Sequence, residues 1–295
     1  VDNGDKITNF HDFIDLSDYE ISWTLLGDGK PVQSGILKDF NLKPHESKVV
    51  QLPVKIDFDE PAEYFIDFSV KLKKAKPFLP AGFEVAHEQS KLGIEFVSTK
   101  PEEKRLPAVR LNDLTDRYIV EGENFTITFD KTTGTLSGYE INGMELIKKG
   151  PQPNFWRPLN DNDKGSNMLK RLGIWREVSR EINPASMEAF QAEEGKILVT
   201  SKFNLEKVHS AQTVVFIVTG DGKVEVSGSI KTGAEKLPDM PRFGMRWELP
   251  VNFDNLKYYG RGPNENYIDR NRSAFVGIYE SKVADQYFKY VRPQE

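Results

Sequence analysis

At 295 residues the chain is longer than one ordinary small domain needs, so two domains are the natural expectation. Apolar residues make up 38% and charged residues 29%, the balance of a water-soluble globular protein. A net charge of −5 with no run of Lys and Arg argues against nucleic acid as a partner, and the absence of cysteine excludes disulfides, thiolate metal sites and Cys nucleophiles.

Taken in chain order, most segments alternate apolar and polar residues, the mark of half-buried strands. Val1 to Lys6 shows no signal-peptide pattern, and the chain starts without Met, so a processed chain or a piece of something larger is expected. Tyr19, Ile21, Trp23 and Leu25 form the first strand face; Gly27-Asp28-Gly29-Lys30 turns the chain into a returning strand at 32–37. Strands are expected at 49–54, 64–72, 83–87 and 92–97, with Tyr64, Ile66, Phe68, Val70 and Leu72 on one face. Six or seven short strands in the first 100 residues read as an immunoglobulin-like sandwich. The charged stretch 98–105, with Pro101 and no periodicity, reads as a linker, so the domains are placed at 1–100 and 106–295.

The second part is strand-rich too. Strands are expected around Phe125–Phe129 and Thr135–Ile141, and Asn142-Gly143 is a type I′ hairpin signal. Further strands are expected at 196–203, 212–219, 223–230, 242–249 and 256–259. Residues 167–178 break the pattern and predict a short helix with Met168, Leu172 and Trp175 on one side. This count favours a large two-sheet sandwich, and the fold class is all-β. Val214–Val218 typifies the longest apolar runs, which are strand-sized and too short for a membrane-spanning helix. Trp23, Trp175 and Trp247 sit in periodic runs and are expected in the core.

Two segments concentrate chemistry. Residues 154–166 read NFWRPLNDNDKGS and residues 258–270 read YYGRGPNENYIDR. Both place aromatics, Arg and short acid or amide side chains on a Gly- and Pro-bent backbone, suited to holding a sugar or to bracing a loop that does. With Phe13–Tyr19, Asp28–Pro31, Gly82–Gln89 and Pro241–Met245, these six motifs in order resemble the C-terminal region of the lacZ-type β-galactosidases of glycoside hydrolase family 2. The resemblance runs from about residue 7 to the end of the chain.

That resemblance implies a second immunoglobulin-like domain followed by a terminal β-sandwich of the galactose-mutarotase type, incomplete at its C-terminus. It implies a parent enzyme that hydrolyses terminal β-D-galactosides with retention. The parent's two catalytic glutamates lie on a barrel domain absent here, so this portion alone is expected to be inactive. It also implies a partner in that barrel of the same polypeptide, a galactoside substrate and a homo-oligomeric parent in the bacterial cytoplasm or periplasm. The Mg and Na often used by the family belong to the missing domains; no cofactor is expected in this portion. A mobile loop beginning at Gly165 and Ser166 is implied at the rim of the parent's site, although 167–172 looks more helical than a free loop.

The residues themselves allow blander readings. Asp161 and Asp163 would share a face on an extended strand, as a pair of catalytic carboxyl groups requires, but Asp-Asn-Asp is more commonly a turn whose side chains accept backbone N–H bonds. The spacing from Asp161 through Asn162 and Asp163 does not fit a calcium loop, since Gly165 falls at position 5 and Leu172 at position 12. Trp156 with Arg157 suits a sugar-stacking or cation–π role, or a core anchor beside a polar loop. In the second segment Glu265, Asn266, Tyr267, Asp269 and Arg270 read as an edge strand, with Arg261 or Arg270 pairing Glu265 or Asp269 to fix a corner. The glycines there serve positive φ or close approach. None of the four histidines falls in either segment, which argues against an epimerase. The competing reading is a stand-alone carbohydrate-binding protein; a third is a purely structural sandwich.

Overall fold

The computed structural model describes residues 4–38, 40–55, 62–93, 105–233, 236–267 and 271–287. By contacts the chain forms two compact units, 1–101 with 255–286, and 102–254 with 287–295. The hairpin at 255–286 therefore groups with the first unit, whereas a split at 98–105 alone would assign it to the second.

The first unit begins with β1 (Asp5–Thr8), β2 (Tyr19–Gly27), β3 (Lys30–Ile36), β4 (Ser47–Val50), β5 (Tyr64–Leu72) and β6 (Glu84–Lys91). A four-stranded antiparallel sheet runs β3-β2-β5-β6, and β1 pairs β4. Gly27 sits opposite Lys30, so Asp28 and Gly29 form a two-residue loop, with φ of 47° and 74°. Two positive φ values are what a primed hairpin turn demands. Alternation on β2 buries Tyr19, Ile21, Trp23 and Leu25. These side chains divide between two clusters, one with Leu16, Phe40, Leu42 and Leu72, the other with Tyr64, Ile66 and Leu92. The strand expected at 49–54 is shorter and earlier, at 47–50. Of the one expected at 92–97, Leu92 and Gly93 are outside any strand and the rest lies outside the described residues.

The second unit contains β7 (Arg110–Asp113), β8 (Arg117–Glu121), β9 (Phe125–Asp130), β10 (Thr135–Ile141), β11 (Met144–Glu145) and β12 (Lys149–Asn154). Three short helices follow, α1 (Asp161–Gly165), α2 (Met168–Leu172) and α3 (Ile174–Arg180). Then come β13 (Asn183–Glu193), β14 (Lys196–Leu205), β15 (Ser210–Thr219), β16 (Val224–Lys231) and β17 (Gly244–Glu248). Two antiparallel sheets, β11-β10-β9-β8-β7 and β13-β14-β15-β16, flank a shared core, and β12 pairs β17. Asn142 and Gly143, with φ of 50° and 78°, close the β10–β11 hairpin as expected. Phe125, Ile127 and Phe129 on β9 meet Ile197, Val199 and Phe203 on β14 and Val214, Phe216 and Val218 on β15. The Phe129 and Phe216 rings meet edge-on at 5.1 Å, a favoured aromatic geometry. The all-β expectation therefore holds; among the described residues α-helix occurs only in the short insertion at 161–180.

Trp247 departs from its expected place in the core: it is 42% exposed, while Trp23 and Trp175 are buried at 5% and 1%. Its strand, β17, has five residues and, among the described residues, pairs only with β12. Alternation chooses a face of a strand; it does not supply a neighbour to cover that face. The hairpin of the first unit pairs β18 (Asn255–Gly262) with β19 (Phe275–Lys282).

Candidate functional site

The segment 154–166 is assembled from the inside outward. Phe155 is fully buried beside Trp175, ring centroids 5.6 Å apart, in a cluster with Val178, Leu205 and Val208. Its backbone N–H donates to Ser179 Oγ at 2.8 Å, and that hydroxyl donates to the Trp175 carbonyl at 2.8 Å. Trp175 Nε1 donates to the Pro238 carbonyl at 2.9 Å. Helix α3 thus anchors the segment's entry. Trp156 is half-buried against the same cluster, and its N–H donates to Asn154 Oδ1 at 2.9 Å.

From Asn160 the chain becomes helical. Asn160 Oδ1 accepts from the Asp163 N–H at 2.8 Å, and Asp163 Oδ2 accepts from the Asn160 N–H at 3.0 Å. This reciprocal capping box opens α1. It keeps one part of the Asx-turn expectation, that side chains accept backbone N–H bonds. It overturns the strand geometry considered for Asp161 and Asp163, because residues two apart on a helix do not face each other. Asp161 points to solvent, its side chain 83% exposed with Lys164 at 3.8 Å, while the Asp163 side chain is 14% exposed. Asn162 is exposed as well.

Arg157 grips Asp163 with both ends of its guanidinium, at 2.5 and 3.0 Å, and donates to the Pro158 carbonyl at 3.1 Å. Partial burial raises the Asp163 carboxyl. The hydrogen bonds from Arg157 and Asn160, with the charges of Arg157 and Arg171, outweigh that and hold it below the ordinary aspartate value. Beyond Gly165, the Ser166 carbonyl and hydroxyl accept from Arg171 at 2.9 and 3.2 Å. The single helix expected at 167–178 is two, broken at Gly173, with Met168, Trp175 and Val178 buried and Leu172 only half-buried.

Beside the segment lies a hollow of about 290 Å³, lined among others by Asn154, Trp156, Arg157, Arg176, Arg180 and Arg246. Sequence reading passed over Arg176, Arg180 and Arg246. The available signal was the spacing of Arg176 and Arg180, four apart and so on one helical face.

The second segment is placed by the β18–β19 hairpin. Tyr258 and Tyr279 sit opposite each other, and their rings approach to 5.5 Å. Gly262 serves close approach and not positive φ: a Cβ there would come within 2.3 Å of Tyr258 Oη. Arg261 Nη1 donates to the carbonyls of Asn271 and Ala274, both at 2.9 Å, so this guanidinium ties the corner through backbone carbonyls. Glu265, Asn266 and Tyr267 lie in irregular chain after β18 and not on an edge strand; Asp269 and Arg270 lie outside the described residues.

The hairpin also covers the polar face of β5 and β6. Gln89 exchanges two hydrogen bonds with the Val276 backbone, at 2.7 and 2.9 Å. Tyr259 Oη donates to Glu63 at 2.7 Å, and Lys91 pairs Glu63 at 2.5 Å. Burial first, then the hydrogen bond to Glu63 and the charges of Glu63 and Asp28, push the Tyr259 hydroxyl up. The Lys91 bond first, then that from Tyr259, holds Glu63 down. A second hollow of about 450 Å³ here is lined by Glu63, Glu88, Lys91, Arg261, Arg272 and Phe275, among others. These residues are far apart in sequence, and nothing local marks them as a group.

Among the described residues no group of three or more His, Asp or Glu side chains could hold a metal ion, and no helix is long and apolar enough to cross a membrane.

Comparison with known proteins adds family information. A model described as "Beta galactosidase small chain" matches residues 121–295, and one described as "Beta-galactosidase, domain 4" matches residues 6–93. A β-galactosidase of Priestia megaterium is 30% identical over 292 residues, covering 98% of this chain and 28% of the relative. One from Lactobacillus delbrueckii subsp. bulgaricus is 32% identical over 284 residues, covering 96% and 27%, and one from Clostridium acetobutylicum is 28% identical, covering 95% and 31%. The chain thus spans under a third of the length of these relatives. Matched over more than half its length by the small-chain model, and over most of the remainder by the domain 4 model, the chain belongs to the lacZ-type β-galactosidase family.

Proposed function

We propose that this chain is a non-catalytic portion of a β-galactosidase, and that it braces the barrel bearing the galactoside site and contributes to that site's rim and to assembly. The relatives are named β-galactosidases, and the family resemblance implies that the whole protein hydrolyses terminal β-D-galactosides with retention. One observation carries the non-catalytic reading: the carboxylates of segment 154–166 do not form a working pair. Retaining hydrolysis needs two carboxyl groups about 5–5.5 Å apart, one of them held protonated. Here Asp163 is committed to Arg157 and the helix start and is held ionised, while Asp161 turns outward on the helix. A network closed on itself suits a rigid brace.

The purified 295-residue chain is expected to show no turnover of p-nitrophenyl β-D-galactoside. Turnover that disappears on Asp161→Ala would refute the reading.

A further inference from the structure

The hollow beside segment 154–166 gathers positive charge on a chain whose net charge is −5. Four arginines, Arg157, Arg176, Arg180 and Arg246, line it together with Trp156. Arg157 is neutralised by Asp163. Arg246 approaches Glu248 only at 3.5 Å, and Glu248 is shared with Lys149 at 3.2 Å. Among the described residues Arg176 and Arg180 make no ion pair. Arg176 and Arg180 are therefore left without a counter-charge among the residues lining a concave, partly apolar space, and Arg246 is compensated only in part. Guanidiniums without a counter-charge, here Arg176 and Arg180, are relieved when an oxyanion takes their donors.

The scaffold holds these donors in place. Arg176 and Arg180 project from α3, whose Trp175 and Val178 are buried and whose Ser179 is bonded to the Phe155 backbone. Arg246 comes from β17, paired to β12 opposite Gln152. A hollow of about 290 Å³ is at the small end of ligand pockets, which suits one ring with its substituent better than a peptide.

We propose that this hollow binds an acidic monosaccharide unit: a carboxylate or sulfate taken by Arg176, Arg180 and Arg246, with Trp156 in the lining against the sugar. This goes beyond the bracing role and does not depend on it. The ligand class is distinct from a neutral galactoside, whose hydroxyls give the unpaired Arg176 and Arg180 no counter-charge.

Isothermal titration calorimetry of the intact chain tests it, with D-galacturonate, sodium sulfate and neutral D-galactose as probes. Saturable binding of galacturonate is expected, with weaker binding of sulfate and none of galactose at the same concentrations. The Arg176→Gln/Arg180→Gln variant is expected to bind galacturonate at least about ten-fold more weakly, since each lost charged hydrogen bond removes roughly that much. If that variant loses its native circular dichroism, Arg246→Gln serves the same comparison from the strand side. Sulfate binding as tightly as galacturonate refutes the sugar component. No saturable heat with either acid, the result for a hollow covered instead by an acidic protein segment, overturns the proposal. So does galacturonate binding unchanged by the substitutions.

Discussion

Asp163→Asn isolates the bond network of segment 154–166 at constant side-chain size. The carboxylate accepts from Arg157 at 2.5 and 3.0 Å and from the Asn160 N–H at 3.0 Å. Asparagine keeps one acceptor oxygen but turns an NH2 group toward a donor. Exposed ion pairs are worth about 0–1 kcal/mol, and breaking a buried one costs about 3–5 kcal/mol. With side chains 14% and 25% exposed, this pair falls between those limits, so a loss of about 2 kcal/mol is expected. For a unit of this size that lowers Tm by roughly 4–8 °C. The Asp163 carboxyl is held below its ordinary value in the folded chain. Its contribution is therefore complete above the unfolded value near about pH 4 and is lost as pH falls through the lower folded value. Wild type and Asp163→Asn should differ at pH 7 and converge below about pH 4 in urea titrations. Arg157→Gln alone, and the double variant, complete a cycle whose coupling should exceed about 1 kcal/mol. Equal midpoints at pH 7, or a difference that does not shrink as pH falls below about 4, would contradict this account of the network.

Two further substitutions probe the segment ends. Gly165 has no neighbour within 4 Å of an added Cβ and closes α1 without positive φ, so Gly165→Ala should fold normally and leave stability unchanged or raise it by up to about 0.5–1 kcal/mol; a fall in Tm would show that the glycine's freedom is needed. Arg261→Gln removes both bonds to the 271 and 274 carbonyls and should cost about 1–2 kcal/mol, with faster amide exchange in β18 and β19 and no change in β14 or β15; uniform exchange across both units would contradict a local corner role.

What could be read from the sequence follows from the range of the forces involved. Strands β2, β9, β14 and β15 were legible because each is covered by a neighbouring layer on one face, and burial then imprints period two. Phe65 was not, since it lies on the polar face of β5. It is buried at 6%, on the side where the hairpin at 255–286 meets β6 through Gln89, a contact between residues 187 apart in sequence. Trp247 shows the converse, an apolar position in a periodic run that is left 42% exposed. Helix α1 was within reach: Asn160 followed three residues later by Asp163 is a capping-box spacing. An Asx turn and a capping box share their chemistry, so residue types alone do not choose between them.

The same distinction explains why neither segment's function could be taken from its residue types. Asp, Asn and Arg in a bent, aromatic-rich stretch serve sugar binding and self-bracing equally well. What separates the two is whether their donors and acceptors are already spent. In 154–166 Asp163 and Asn160 are spent on each other, Asp163 also on Arg157, and Ser166 on Arg171, while Asp161 and Asn162 turn to solvent. The capacity to recognise a ligand passes to arginines outside the motif, Arg176 and Arg180 one helix later, whose charges the fold leaves uncompensated among the described residues. A motif conspicuous for its polar side chains can therefore be the frame, while plainer residues beside it hold the free valence.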